Sequence, residues 1–228
     1  MKHPLLYCIF GTFLLASCQQ EETPETNGYG YLSISDIAVQ TVNESIVATR
    51  SGEEPLTVEI WQDGSLLQSL DDTADKVRLE SGSYTLKAYS SSYETNSSWT
   101  NSEKGEPVYY TEQAFTVEAE QTTSVEVSVP MINFGVTFSL PEEYSGYFSS
   151  CTFTATVGER SVSLQEGETA YFSYTEGAAF SYTLNATNSD NEPFNQSGSY
   201  GGAEAGETIS SGTVYTVTYN VETRQFDI

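Results

Sequence analysis

Residues 56–70 read LTVEIWQDGSLLQSL. Val58 and Ile60 fall on one side of an extended chain and Thr57, Glu59 and Trp61 on the other, because successive side chains of a strand point to opposite faces. Asp63-Gly64 follows, a pair that tolerates the positive φ angles of a two-residue hairpin turn, and Leu66 and Leu67 begin the return. Period-two alternation around a tight turn marks a half-buried antiparallel hairpin.

The same pattern extends in both directions. On the N-terminal side Tyr31, Ser33 and Ser35 alternate with Leu32, Ile34 and Asp36, and an apolar patch runs from Ile37 to Val42. On the C-terminal side Val77 and Leu79 precede Ser81-Gly82-Ser83, after which Tyr84, Leu86 and Ala88 alternate with Thr85, Lys87 and Tyr89, which predicts a second hairpin. A polar loop, 90–107, holds Trp99. Phe115 and Val117, a turn region at 118–123, and Val125, Val127 and Val129 predict a third hairpin, closed by Pro130. Roughly seven short strands over about 100 residues is the spacing of a sandwich, expected here over residues 29–129.

The second half, 130–228, repeats the style with Val136, Phe138 and Leu140, with Phe153, Ala155 and Val157, with Val162 and Leu164, then 171–174, 180–184 and 214–221, ending in a strand within 224–228. Residues 188–211, rich in Gly, Ser, Asn and Glu, read as a long surface loop or pair of turns. No segment after the leader keeps a 3.6-residue period, so helices are expected only as single turns near 142–147. The fold class that results is all-β: two tandem antiparallel β-sandwich domains of immunoglobulin-like type.

The N-terminus carries a different message. Lys2 and His3 precede an apolar run from Leu5 to Ala16, too short for a permanent membrane span, as in a signal peptide over 1–17. Leu15-Ala16-Ser17-Cys18 matches the bacterial lipobox, which makes Cys18 the expected lipid attachment site and a membrane the expected partner. Each buried methylene contributes about 0.8 kcal/mol, so two or three acyl chains hold a protein essentially permanently. Residues 18–28 are polar and acidic and read as a flexible tether. The Glu21-Glu22 pair also resembles the export signal of Bacteroidetes lipoproteins displayed on the outer face of the outer membrane. An outer-membrane location is expected, with outward and periplasmic display both open.

Charge and side-chain inventory narrow the function classes. The chain has 8 basic and 32 acidic residues. Without Lys2 the mature chain keeps seven basic residues and a net charge of −25, which excludes nucleic acid as a natural partner. The sole histidine, His3, leaves with the leader, so Ser-His-Asp and Cys-His catalysis and the commonest transition-metal ligand are absent from the mature protein. Cys151 is then the one cysteine of the folded part and reads as a small core residue beside Phe153. Residues 71–75, DDTAD, lack the glycine and distant glutamate of a calcium loop and read as a solvated turn. No cofactor, metal site or enzymatic role is expected. Trp61, Trp99 and Tyr109-Tyr110 are the aromatic side chains able to stack on sugar rings if exposed, with Trp99 the best placed as a ligand contact.

The lipobox, Gly30-Tyr31-Leu32-Ser33-Ile34, Leu79-x-x-Gly82-x-Tyr84-Thr85-Leu86-x-Ala88, Tyr109-Tyr110, Phe115-Thr116-Val117-Glu118-Ala119 and Ala170-Tyr171-Phe172 together resemble a Bacteroidetes lipoprotein family defined only as a domain of unknown function. The resemblance covers most of the mature chain and implies no activity. The two-sandwich plan is also similar to the fimbrillin group, whose subunits lose a first strand by cleavage after an arginine and polymerise by accepting a donor strand. On that likeness Arg50, in Thr49-Arg50-Ser51, is the candidate processing site, and removal of 18–50 would expose an unpaired sheet edge. The reading that follows is a surface lipoprotein with a structural or adhesive role, a fimbria-like subunit or anchor able to form a strand-exchange homo-oligomer. The alternative is a monomeric accessory lipoprotein that binds glycans or other surface proteins through Trp99 and the 188–211 segment.

Overall fold

The computed structural model describes residues 28–41, 44–46, 56–70, 76–142, 146, 148–202, 206–220 and 225–228; the leader, Cys18, the tether up to residue 27, Arg50 and the acidic run 71–75 lie outside them. The regular secondary structure of the described residues is nearly all strand, arranged as four sheets. In the first sheet β1 (Tyr29–Thr41) lies between β8 (Thr122–Pro130) on one side and β5 (Val77–Glu80) with β2 (Glu44–Ile46) on the other. The second runs in the order β4 (Ser65–Leu70), β3 (Leu56–Gln62), β6 (Gly82–Ser90), β7 (Tyr110–Val117). The third runs β12 (Thr169–Phe172), β9 (Phe134–Ser139), β15 (Val214–Asn220), β16 (Gln225–Asp227). The fourth runs β11 (Arg160–Leu164), β10 (Phe148–Val157), β13 (Ala179–Asn188), β14 (Pro193–Gly201).

Sheets one and two enclose one core, centred on Leu32, Ile60, Leu86 and Val129, all fully buried. Sheets three and four enclose another, built on Phe134, Phe138, Phe153, Phe172 and Phe180. Phe138 and Phe153 stack across it with centroids 4.7 Å apart. Two sandwiches result, each with a core of its own, because every strand carries one apolar face that only an opposing sheet can cover.

The Leu56–Leu70 hairpin forms as its pattern requires: β3 pairs with β4, and Asp63 and Gly64 both take positive φ, 51° and 77°. That geometry matches the right-handed twist of the flanking strands. The second expected hairpin does not form. β5 pairs with β1, β6 pairs with β3 and β7, and the chain passes from one sheet to the other at Ser81, whose N–H donates to the Gly28 carbonyl. Val77 and Leu79 face Tyr84, Leu86 and Ala88 across the core instead of lying beside them. Alternation looks identical in the two arrangements, and Gly82, unlike Gly64, needs no positive φ. The third hairpin is likewise a crossing, with β7 held by β6 and β8 by β1.

Two pairings depart from a purely antiparallel plan. β1 runs parallel to β8, and β15 parallel to β9. β1 also explains how one strand absorbs both the Leu32/Ile34 phase and the Ile37/Val39 phase of its apolar residues: the register with β8 shifts between Ile34 and Asp36, and this bulge returns odd-numbered side chains to the core. Gly30 is required where it stands, since a Cβ there would sit 2.2 Å from the Glu118 carbonyl oxygen.

Two further expectations change. Residues 188–211 contain β14, a nine-residue edge strand paired with β13 from Ala179↔Gly201 to Thr187↔Pro193. Helical turns occur in the 90–107 segment, as α1 (Ser92–Thr95) and a 3-10 turn at Asn96–Ser98. Of the turn expected near 142–147, Glu142 is helical, and residues 143–145 and 147 lie outside the described residues.

Candidate functional site

The first strand is the structural element on which the strand-exchange reading turns. β1 makes nine register contacts with β8, from Tyr31↔Thr122 to Gln40↔Pro130, and pairs with β5 over Tyr29–Leu32 and with β2 over Val39–Thr41. It delivers Leu32, Ile37 and Val39 to the first core beside Val125, Val127, Val129, Val77 and Leu79. A chain lacking β1 would keep a slot lined by those valines and flanked by the unpaired backbone of β8 and β5. Arg50 lies between β2 and β3, outside the described residues.

The aromatic candidates separate. Tyr109 is buried in the first core. Trp61 and Tyr110 come together on the outer face of the second sheet, where Tyr89 and Tyr93 join them, the latter brought in by α1. Every ring there already has neighbours. Tyr93 stacks on Tyr110 at 4.4 Å, and the Lys87 ammonium lies 4.1 Å from the Trp61 centroid. The Trp61 indole and the Tyr89 hydroxyl both donate to the buried Glu59 carboxylate, at 2.8 and 3.0 Å, and the Tyr110 hydroxyl donates to Glu112. Burial, reinforced by the bond to Glu59, pushes the Tyr89 phenol up to about 12; burial and the bond to Glu112 likewise raise Tyr110. A carboxylate on the outward face of a strand is satisfied by its own aromatic neighbours, a pairing that alternation cannot reveal.

Trp99 is half-buried, at the junction between the two sandwiches. Its ring lies against Gly105, where a Cβ would come within 2.6 Å of the indole and φ is +72°. Arg160, at the start of β11, stands 5.6 Å from the Trp99 ring and 4.8 Å from the Phe172 ring. Its guanidinium donates to the carbonyls of Thr100 and Glu103 on one side and of Tyr171 on the other. Desolvation lowers the Arg160 pKa, and the Glu103 charge opposes that shift. Lys104 pairs with Glu168, the Tyr171 N–H donates to the Lys104 carbonyl, and Asn133 accepts from the Val108 N–H while donating to the Glu106 carbonyl. The segment 99–108 is therefore a strap holding the sandwiches together, and the indole that looked free in sequence is part of its packing.

Cys151 is half-buried against the second core, and burial, with Glu166 nearby, pushes its thiol up to about 11. A thiol so placed stays protonated at neutral pH, which makes it a weaker nucleophile than a free cysteine. Among the described residues no cluster of three His, Cys, Asp or Glu side chains is arranged to hold a metal ion, and no helix is long and apolar enough to cross a membrane.

The chain is similar to several solved structures. One, from Bacteroides ovatus and provisionally described as an adhesin, has a TM-score of 0.47 at 10% identity, covering 84% of this chain and 87% of that one. A second, from Bacteroides thetaiotaomicron and provisionally described as polysaccharide-binding, has a TM-score of 0.46 at 9% identity, covering 83% and 90%. A third, from Bacteroides ovatus and provisionally described as a cell adhesion protein, has a TM-score of 0.44 at 13% identity, covering 87% and 94%. No curated protein matches the sequence. The model of the domain-of-unknown-function family DUF4493 matches residues 28–228, from the first residue of the fold to the last, and the chain belongs to that family.

Proposed function

We propose that this protein is a lipid-anchored outer-membrane protein displayed at the cell surface, with a structural or adhesive role, and that its first strand can be exchanged for a donor strand. The observation that carries the reading is β1 itself, a 13-residue strand at the N-terminal end of the fold that fills the place between β8 and β5 and is followed, in sequence, by Arg50. Cleavage there would detach both β1 and the lipid-bearing Cys18, so the uncut chain is the anchored form and the cut chain the polymerising form. A non-catalytic role accords with a mature chain free of histidine and with the raised pKa of the Cys151 thiol.

The test is to treat the chain lacking residues 1–18 with a trace of arginine-specific protease and follow mass and oligomer size together. A cut after Arg50, loss of the β1 segment and a ladder of detergent-resistant oligomers are expected, all prevented in Arg50→Gln. An uncut chain, or a cut chain that stays monomeric, would overturn strand exchange and leave a monomeric binding protein.

A further inference from the structure

The fourth sheet carries an outward face unlike the rest of this acidic molecule. Its four strands contain a single charged residue, Arg160, and that side chain is turned to the junction. Glu159, Asp190 and Glu192 stand in the turns at the strand ends. Inward positions are apolar, with Phe153 and Ala155 on β10 and Phe180, Tyr182 and Leu184 on β13. The alternate, outward positions form cross-strand rows in register. One row is Ser163, Thr154, Thr183, Ser197, and the next is Ser161, Thr156, Ser181, Ser199. A third continues it with Thr152, Asn185 and Asn195. Hydroxyl and amide groups thus repeat about 4.8 Å apart across the strands and about 7 Å along them.

Most of these groups are unengaged. Thr154 bonds Ser163 and Thr156 bonds Ser161. The side chains of Thr152, Thr183, Asn185, Asn195, Ser197 and Ser199 make no hydrogen bond to another described residue.

We propose that this hydroxyl face of the fourth sheet is a binding surface for an uncharged polysaccharide chain. A face with no cation offers nothing to nucleic acid or to phosphate headgroups. Without aromatic, Met or Arg side chains it lacks the anchors of a protein interface, and without an apolar patch it has nothing to insert into a membrane. What it presents is neutral hydrogen-bonding groups interleaved with threonine methyls, in a repeating array. A neutral glycan has the matching surface: hydroxyls that both donate and accept, C–H groups between them, and its own repeat. Neutrality is itself the complementarity, since the chain carries a net charge of −24 and would repel uronate or sulfated glycans. Each contact is weak in water, so single sites bind in the millimolar range and many copies on one surface supply avidity.

Affinity gel electrophoresis of the uncleaved mature chain tests this, with dextran, galactomannan, soluble starch, laminarin and mannan as neutral probes and polygalacturonate and chondroitin sulfate as charged ones. At least one neutral polysaccharide is expected to retard the protein and neither charged one to do so. The double variant Thr154→Val/Thr183→Val, which keeps shape and strand propensity, should weaken retardation about tenfold. Thr183→Glu should abolish it, with the melting temperature of both variants within a few degrees of the parent. Retardation by no neutral probe, retardation that these variants leave unchanged, or a concentration-dependent dimer dissolved by Thr183→Glu would each overturn the proposal. The readout needs no cleavage at Arg50, so its failure and that of strand exchange are separate results.

Discussion

At the residue scale, single side chains carry more of this architecture than their chemistry suggests. Gly30 is approached so closely by the Glu118 carbonyl that the β7–β8 turn has no room for a methyl group. Gly30→Ala should therefore lower stability by about 2–4 kcal/mol in urea denaturation, a large effect for one methyl, because backbone and not a flexible side chain must move. Cys151 gives a second test. With its thiol pushed up to about 11, it should react with a disulfide reagent at pH 8 on the order of a hundredfold more slowly in the folded chain than after unfolding in urea. Rapid reaction of the native protein would contradict the packing described for β10. The glycine requirement at position 30 was invisible in sequence, where Gly30 reads as the start of a motif with no stated reason; its cause is a contact with residues almost ninety positions away.

At the scale of elements, local chemistry decides what can be read ahead of structure. The Asp63-Gly64 turn was legible because positive φ at two adjacent residues has few sequence solutions. Gly64→Val should cost roughly 1–3 kcal/mol by forcing a β-branched residue into that conformation, whereas Asp63→Asn should be nearly neutral; equilibrium unfolding separates the two. The Ser81-Gly82-Ser83 segment was misleading for the complementary reason. Strands on opposite sheets and strands in one hairpin both alternate, and only long-range pairing with β1 distinguishes them. The 188–211 segment hid β14 because an edge strand of Pro, Asn, Gln, Ser and Gly has the composition of a loop, and its apolar contribution is limited to Phe194 and Tyr200. Trp99 was legible as an exposed aromatic only so long as its loop was assumed to face water; Gly105 and Arg160, the residues that hold it, sit in a neighbouring turn and in the other sandwich.

At the scale of the whole molecule, the strap 99–108 couples the two sandwiches partly through charge. The Lys104 ammonium and the Gln165 N–H hold the Glu168 carboxyl below its ordinary value of 4.5, and bonds from Thr100 do the same for Glu103. Groups whose pKa is depressed on folding stabilise the folded state above the ordinary carboxylate range and cease to do so as pH falls through their folded values. Melting temperature should accordingly decline below about pH 4.5. Glu168→Gln should flatten part of that decline, and its deficit against the parent at pH 7 should shrink in strong acid. A deficit constant across pH would show that Glu168 acts through packing alone. Added salt should favour association between copies of so acidic a chain, since screening reduces their mutual repulsion.

The parallel pairing of β1 with β8 has a mechanical consequence. The chain enters the fold at the start of β1 and leaves β8 at its far end to become the second sandwich. A pull between the start of β1 and the second sandwich therefore draws the two strands lengthwise past one another, so that the hydrogen bonds from Tyr31 to Gln40 bear the force together and do not open one at a time. Strands loaded in this direction give way only when the whole row of bonds fails together, so under the surface anchoring proposed above the first sandwich would withstand traction along its own length.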